Sequence, residues 1–261
     1  SAVATGTQPS ETVTLEYKSG GHTYTCEYSG TQNYTSATLD TDILTVNKGT
    51  PSLTLSCTGS KYPNDPSCTA SESNNGDDDC VYNLYVGNVL EDSGSSISWS
   101  GDRGAGTYNV AYNTTGCTNY TSNQVTDSFT VSKGSLSGYI TVNDVVYPSD
   151  LPITTSENNP GNSDVEYEVY CEGILISSST GSAPCESQCL EDFAAGSHTC
   201  KLNTTSSTFA NWTSNSSIAT DTGTISPGTL QLSISGGGTF IYPHETTVTA
   251  SESNHGDSDV T

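Results

Sequence analysis

Asparagine carries the most frequent chemical motif of this sequence. An Asn-x-Ser/Thr triplet whose middle residue is not proline is the acceptor of N-linked glycans, which need a surface position. The triplets begin at Asn33, Asn113, Asn119, Asn203, Asn211 and Asn215. Asn33, Asn119 and Asn211 stand in the same place of a repeated segment, in a turn before its last strand. We therefore expect glycans on at least these three if the chain is extracellular.

Acidic residues gather around the recurring glycines Gly76 and Gly256 and form the second candidate site. Calcium binds about six to eight hard oxygens from carboxylates and carbonyls. The candidate ligands are Glu72, Asp77, Asp79, Glu252, Asp257 and Asp259. The matching loop around Gly161 has fewer carboxylates. An Asn/Asp/Gly turn between two strands explains the same residues and is the favoured interpretation, and calcium binding is the alternative.

The sequence has nine cysteines but no Cys-x-x-Cys pair, which favours disulfides over zinc and hence an oxidising compartment. The favoured pairs are Cys57–Cys68, Cys80–Cys117, Cys171–Cys200 and Cys185–Cys189. Each set of four cysteines allows three pairings, so the sequence alone leaves the connectivity open. Cys26 is left over, either as a free buried thiol or as the partner of a residue outside this chain.

Catalytic motifs are missing from the sequence. The histidines are His22, His198, His244 and His255. None of them recurs in the repeated segments beside a serine or cysteine nucleophile, and there is no nucleophile elbow, phosphate loop or dinucleotide motif. Carboxylate pairs occur only in turns, where solvent holds carboxyl pKa values near their ordinary range. We expect a protein that is not an enzyme and that requires no cofactor, with N-linked glycans and calcium as its only candidate additions.

A sequence repeat positions these candidate residues. Residues 69–79 recur at 154–164 and at 249–259, and a Tyr-Pro pair begins at Tyr62, Tyr147 and Tyr242. The corresponding periods are 85 and 95 residues. Because several anchors keep one order in three copies, each copy is expected to fold as the same unit.

Short alternating runs within each period predict strands. In residues 48–132 the predicted strands lie near 52–58, 67–73, 80–86, 95–99, 107–112 and 125–131. Val125, Phe129 and Val131 fall on one face of the last of these strands, as in a half-buried strand. A single helical turn is predicted at 189–195. Many short strands in a period of 85–95 residues predict an all-β chain of tandem β-sandwiches, arranged head-to-tail as a rod.

The composition excludes several classes of partner. Only 31% of the residues are hydrophobic, which suits several thin sandwiches better than one large core. The net charge of −23 makes nucleic acid a poor partner because like charges repel. No run approaches the ~18 apolar residues of a membrane span, so no direct membrane insertion is expected in this segment.

Repeat length and strand pattern resemble the bacterial and archaeal immunoglobulin-like or fibronectin-III-like repeats of surface proteins. The motifs that carry the resemblance are Lys48-Gly49, Lys133-Gly134, Tyr108-x-Val110 and Tyr24-x-Cys26. The antibody-type pattern of cysteine, tryptophan and distant cysteine is missing. In such sandwiches a tyrosine hydroxyl anchors a crossover, and the resemblance gives that role to Tyr24 and Tyr108, with His198 in their place in the third copy.

The repeat frame does not start at residue 1. By alignment, residues 1–47 are the second half of a copy, 48–132 and 133–226 are complete copies, and 227–261 are the first half of another. Residues 227–261 are expected to be completed by residues 1–47 of the next copy, along one polypeptide or between subunits that share a domain. An arbitrary chain boundary is the alternative explanation.

A head-to-tail contact that does not close on itself builds a filament. The sequence therefore predicts a structural subunit or segment of a glycosylated filament, located outside the cell or at its surface, whose partners are copies of itself. The alternative is the stalk or ligand-binding region of a cell-surface adhesin, which would contact a carbohydrate or a host surface.

Overall fold

The computed structural model describes residues 10–253 apart from 205 and 207, without the side chains of residues 38 and 39. Within these residues the chain is all β, with 22 strands and no helix. It divides into two compact units, Ser1–Ser132 and Lys133–Thr261. Each unit contains one complete immunoglobulin-like β-sandwich and one separate two-stranded hairpin.

The first unit contains ten strands within its described residues. They are β1 (His22–Tyr28), β2 (Ala37–Leu44), β3 (Leu53–Thr58), β4 (Ser60–Lys61), β5 (Ser67–Glu72), β6 (Tyr82–Val86), β7 (Val89–Ser93), β8 (Ser96–Ser100), β9 (Gly106–Thr114) and β10 (Asn123–Ser132). Strands β1 and β2 form a separate antiparallel pair. The sandwich consists of a three-stranded sheet in the order β3-β5-β8 and a five-stranded sheet in the order β4-β10-β9-β6-β7.

Alternation of apolar and polar residues builds the core of this sandwich. In β8, Ile97 and Trp99 point inward between exposed serines, and in β10 Phe129 and Val131 point inward between exposed polar residues. This confirms the predicted face of residues 125–131, since Val125 also packs against the core. The two strands that the sequence did not predict, β4 and β7, lie at the outer edges of the five-stranded sheet.

The second unit contains twelve strands within its described residues. They are β11 (Gly134–Ser135), β12 (Gly138–Val142), β13 (Val145–Val146), β14 (Leu151–Glu157), β15 (Glu166–Cys171), β16 (Ile174–Thr180), β17 (Cys189–Glu191), β18 (Gly196–Asn203), β19 (Trp212–Thr213), β20 (Ala219–Ser226), β21 (Leu232–Ser235) and β22 (Thr249–Glu252). The sandwich sheets are β12-β14-β17 and β13-β20-β18-β15-β16, the same order as in the first unit. Strands β21 and β22 form a separate antiparallel pair.

The helical turn predicted at 189–195 is wrong. Residues 189–191 form β17, which pairs with β14 through Ile153↔Cys189 and Leu151↔Glu191. Strand pairing to β14 and the disulfide to Cys185 hold this segment extended.

Four disulfides link the pairs that the sequence favoured. Cys57–Cys68 joins β3 to β5, and Cys171–Cys200 joins β15 to β18. Cys80–Cys117 joins two loops, and Cys185–Cys189 joins a loop to the first residue of β17. Cys26 is the free cysteine of the described residues, and it is exposed rather than buried.

Candidate functional site

The two separate hairpins, β1–β2 and β21–β22, pair in the same way as strands of the sandwiches but belong to neither sandwich. We call β3–β5, β12–β14 and β21–β22 the leading pairs, and β1–β2, β9–β10 and β18–β20 the trailing pairs. A complete sandwich contains one of each, in opposite sheets. Within the described residues, β1–β2 is a trailing pair without a leading pair, and β21–β22 is a leading pair without a trailing pair.

The three leading pairs have the same strand register. The equivalent cross-strand pairs are Leu53↔Glu72, Gly138↔Glu157 and Leu232↔Glu252, followed by Leu55↔Ala70, Ile140↔Thr155 and Ile234↔Ala250. Ile140 is 8% exposed inside its sandwich, but Ile234 is 76% exposed and Leu232 is 71% exposed. The open leading pair therefore presents to its surroundings the apolar face that its counterparts bury.

The three trailing pairs also share a register. The equivalent cross-strand pairs are His22↔Leu44, Tyr108↔Phe129 and His198↔Gly223, followed by Tyr24↔Asp42, Val110↔Asp127 and Cys200↔Asp221. One step further, Cys26↔Asp40 corresponds to Tyr112↔Val125 and Leu202↔Ala219. Phe129 is 3% exposed, whereas Leu44 in the open trailing pair is 50% exposed.

This register corrects the assignment of Tyr24 to the crossover-anchoring position. Tyr24 is equivalent to Val110, and the residue equivalent to Tyr108 is His22. Each occupant of the position bonds to an upstream backbone carbonyl: Tyr108 Oη donates to Gly104 O at 3.0 Å, and His22 Nε2 contacts Glu16 O at 2.8 Å. His198 Nε2 makes the matching contact with Ala194 O at 2.9 Å. The backbone pairing thus moves the assignment by two residues along β1, from Tyr24 to His22.

In both sandwiches, side chains of the recurrent acidic loop hydrogen-bond to one another and to a buried tyrosine. In the first, Glu72 Oε2 accepts from Asn74 N at 2.6 Å and Nδ2 at 2.8 Å, and Asn74 Nδ2 also reaches the Tyr82 hydroxyl at 3.1 Å. In the second, Glu157 Oε2 accepts from Asn159 N and Nδ2, and Asn159 Nδ2 reaches the Tyr167 hydroxyl at 2.9 Å. Both sandwiches thus use the glutamate and asparagine of the motif to seat a buried tyrosine.

The aspartates of the loop are used in the same way. Tyr82 Oη donates to Asp77 Oδ2 at 2.6 Å. Asp79 Oδ2 accepts from Thr118 N at 2.9 Å and from Thr118 Oγ1 at 2.5 Å. Asp164, equivalent to Asp79, accepts from Ala210 N at 2.5 Å. The bonds of Asp79 and Asp164 tie the acidic loop to the loop between the two trailing strands.

The ionisation of these groups follows from their bonds. The hydrogen bonds from Thr118 lower the pKa of Asp79 below its ordinary value of 3.8. Burial raises the pKa of Tyr82, and the hydrogen bond to Asp77 raises it further. Burial, with smaller effects from the charges of Glu72 and Asp77, raises the pKa of Tyr112 to about 12. Burial also raises the pKa of Tyr167.

These bonds favour a turn over a metal site in the first acidic loop. Among the described residues, the one group of three ligand-type side chains within 4.8 Å is Asp79, Cys80 and Cys117, and the two cysteines are bonded to each other. Glu72, Asp77 and Asp79 thus each serve a different protein partner. Glu252 lies at the end of β22, and the predicted ligands Asp257 and Asp259 lie outside the described residues.

A set of aspartates that the sequence analysis missed connects the two sheets. Asp127 Oδ2 accepts from Cys57 N at 2.8 Å, and Asp221 Oδ2 accepts from Val142 N at 2.8 Å. Each aspartate reaches from a trailing strand to the first strand of the leading pair. Asp42 holds the equivalent position in the open trailing pair. The signal was present in the sequence, as a Thr-Asp dipeptide seven residues before each junction glycine, Gly49, Gly134 and Gly228.

The structure places the glycan-acceptor triplets in different environments. Asn33 is exposed, and Asn113, Asn119, Asn211 and Asn215 are partly exposed. Asn203 is buried in β18, where a glycan would have no room. Asn119 and Asn211 adjoin the start of their own repeats, because Gly49 N donates to Asn119 O and Gly134 N donates to Asn211 O, both at 2.8 Å.

Comparisons with known proteins add no functional assignment. No protein-family model matches the chain, and no curated protein matches it. A structure of Clostridium thermocellum CbhA fibronectin(III)-like modules aligns with 12% identity and a TM-score of 0.26, over 67% of this chain and 95% of that one. The central fibronectin-III array of RIM-binding protein aligns with 12% identity and a TM-score of 0.24, over 80% of this chain and 73% of that one. The strand order of the two sandwiches therefore carries the immunoglobulin-like assignment.

The described part of the chain has no helix that is long and apolar enough to cross a membrane. The four disulfides fit an extracellular or secreted protein, because reducing compartments seldom preserve such bonds.

Proposed function

We propose that this chain is a structural subunit or segment of an extracellular, glycosylated filament built head-to-tail from immunoglobulin-like repeats. The observation that supports this function is the pairing of two complete sandwiches with one open leading pair and one open trailing pair in the same repeat frame. The two open pairs correspond to opposite sheets of a sandwich, so each would supply the sheet that the other lacks. A contact between them repeats from copy to copy without closing on itself.

Two further features support this function: disulfides that stabilise each sandwich against unfolding, and a charged, hydrated surface. Disulfides brace each sandwich by restricting its unfolded state, by about 2–4 kcal/mol for each bond. The net charge of −23 and glycans at the exposed acceptor asparagines would keep the filament surface hydrated. In this proposal the repeated strand ladders carry mechanical load, and the chain has no catalytic role and requires no cofactor.

Electron microscopy of the protein purified from its source tests this function. We expect unbranched filaments with a periodic bead for each sandwich, and glycopeptide mass spectrometry should find modified peptides at Asn33, Asn119 and Asn211. Monomeric particles at every concentration, with these asparagines unmodified, would contradict the proposal.

The second candidate function is the ligand-binding region of an adhesin. A shallow groove of about 510 Å³ on the outer face of the first sandwich favours it. Its lining includes polar or aromatic side chains suited to a carbohydrate, among them Tyr85, Asn109 and Gln124. Binding of the monomeric chain to a glycan array, lost in an Asn109→Ala variant and without filaments in the microscope, would favour this function over the first.

A further inference from the structure

We propose that the open trailing pair β1–β2 of one copy is the docking surface for the open leading pair β21–β22 of a second copy, in the register of the complete sandwiches. This inference rests on the proposed filament and names the partner and the contacts of its joint. Three features carry it: two exchanges of side-chain size, the exposed apolar faces, and two sets of backbone hydrogen-bonding groups.

The first size exchange involves the position of Cys26. In the second sandwich its equivalent is Leu202, and the facing leading strand has Gly138. A Cβ atom on Gly138 would lie 2.9 Å from Leu202 Cδ2, so a larger residue at 138 would require the leucine side chain to move. In the open pairs both residues change: Cys26 replaces the leucine and Leu232 replaces the glycine. A small residue and a large one have thus changed sides relative to the second sandwich, whereas the first sandwich fills the same two positions with Leu53 and Tyr112.

The second size exchange involves the position of Leu44. Its equivalent in the second sandwich is Gly223, on which a Cβ atom would lie 2.6 Å from Val142 Cγ1. The residue that corresponds to Val142 is Gly236, one position beyond the last cross-strand pair of β21. The open pairs therefore have a leucine and a glycine where the second sandwich has a glycine and a valine. Gly236 is also required by its own hairpin, because its φ is +94° and a Cβ atom would lie 2.1 Å from Thr247 O.

These exchanges argue for a second copy of this chain as the occupant. Neither open pair would fit the corresponding partner in the second sandwich: Leu232 in place of Gly138 would collide with Leu202, and Leu44 in place of Gly223 would collide with Val142. Each open pair has instead the size that matches the other open pair. Docking would also bury Leu44, Leu232 and Ile234, whose exposure is 50%, 71% and 76%. Burying such apolar side chains favours association.

Polar groups define the register of the docked hairpin. Asp42 is equivalent to Asp127 and Asp221, so its carboxylate would accept a hydrogen bond from the backbone N–H of Gly236 in the partner. Gly228 is equivalent to Gly49 and Gly134. Its N–H would donate to the carbonyl oxygen of Asn33, as Gly49 N donates to Asn119 O and Gly134 N to Asn211 O.

An engineered cross-link tests this register. The parallel pair Ser135↔Thr213 predicts that Thr229 of one copy lies beside Thr35 of the next. We would oxidise the full chain carrying T35C and T229C, with C26S to remove the native free thiol. The matched control carries T35C and T249C, since Thr249 is an exposed residue at the opposite end of the open leading pair.

A ladder of covalent multimers in the first variant, with a peptide joining residues 35 and 229 in the mass spectrum, is the expected result. The control variant should stay monomeric. A 35–229 bond within single monomers would overturn the assignment of a second copy, because the hairpin would occupy the face of its own chain. Filaments in the microscope without a 35–229 bond would overturn the register and leave the proposed function standing. Absence of both would overturn both.

The native thiol gives an independent readout without substitution. Because Cys26 is exposed in the free chain and equivalent to the buried Tyr112 and Leu202, docking should cover it. We expect alkylation of Cys26 to slow by about tenfold or more in assembled material, since reaction requires an accessible thiolate. Equal rates in assembled and dissociated protein would contradict the docking surface.

Discussion

The complete sandwich of residues 133–226 and the open hairpins at the two ends of the described chain have the same strand registers and opposite burial. Ile140 pairs with Thr155 and is 8% exposed, and Ile234 pairs with Ala250 and is 76% exposed. The pairing of two adjacent strands depends on their own alternation and on the turn between them. Burial requires the opposite sheet. A hairpin therefore determines its own strand register, and the opposite sheet of the sandwich determines which side chains are buried.

Truncation of equivalent isoleucines should show the largest difference. Ile140→Ala removes buried methyl groups and should lower the free energy of unfolding by about 2–5 kcal/mol. Ile234→Ala should change it by no more than about 0.5 kcal/mol, because its side chain is exposed in the isolated chain. Denaturant unfolding of the monomer measures both. Equal losses for the two variants would show that the open leading pair is already covered within the monomer.

The equivalent aspartates provide a smaller version of the same test. Asp127→Asn keeps one acceptor but places an amide near Cys57 N, so it should cost about 1–3 kcal/mol of sandwich stability. Asp42→Asn should leave the monomer unchanged and weaken assembly, measured as a higher concentration for filament formation. A matched control is Asp40→Asn, two pairs further along the exposed β1–β2 hairpin. An equal effect of Asp40→Asn and Asp42→Asn on assembly would indicate a general charge effect instead of the proposed hydrogen bond.

Much of the fold was predictable because alternation and repetition are local properties. The face of Val125, Phe129 and Val131 followed from spacing alone. The equivalence of His22 with Tyr108 did not, because the sequence motif matches Tyr24 to Tyr108, whereas backbone pairing places His22, two residues earlier, in that position. The cross-sheet bond of Asp127 was also missed, since its partner Cys57 lies 70 residues earlier in the chain.

The acidic loops show a different limit of sequence reasoning. Glu72, Asp77 and Asp79 have the composition of a calcium loop, but composition does not say where each oxygen points. In the folded chain their acceptors are turned toward Asn74, Tyr82 and Thr118. Similarly, the triplet at Asn203 is a glycan acceptor by sequence, and β18 buries its side chain.

Alkaline pH should lower the stability of the complete sandwich of the first unit more than that of the open trailing pair. Burial raises the pKa of Tyr112 to about 12 from 10.0, and Cys26 replaces this tyrosine in the open pair. A raised pKa in the folded state gives a stability contribution that is present below about pH 10 and lost as pH rises toward the folded pKa. Unfolding free energy should therefore fall above about pH 10. Tyr112→Phe should make that fall shallower, at the expense of the hydroxyl bond to Gly94 O.

The smallest expected effect distinguishes the two complete sandwiches from each other. Asp79 accepts from both the backbone and the hydroxyl of Thr118, while Asp164 has Ala210 in the equivalent place and accepts from its backbone N–H. The lowered pKa of Asp79 gives a stability contribution that is present above its ordinary value of 3.8 and is lost as pH falls through the folded pKa. Thr118→Ala should raise the pKa of Asp79, measured by NMR titration of its carboxyl group.

The reciprocal variant, Ala210→Thr, supplies the missing hydroxyl and should add a second hydrogen bond to the Asp164 carboxylate. Together the two variants exchange one hydroxyl between equivalent loops, so their effects on the free energy of unfolding should have opposite signs. An unchanged Asp79 titration in Thr118→Ala would mean that the backbone N–H alone holds the carboxylate. The Thr118 hydroxyl would then have no effect on the carboxylate, and both sandwiches would hold their acidic loops by the same kind of bond, from a backbone N–H to the aspartate.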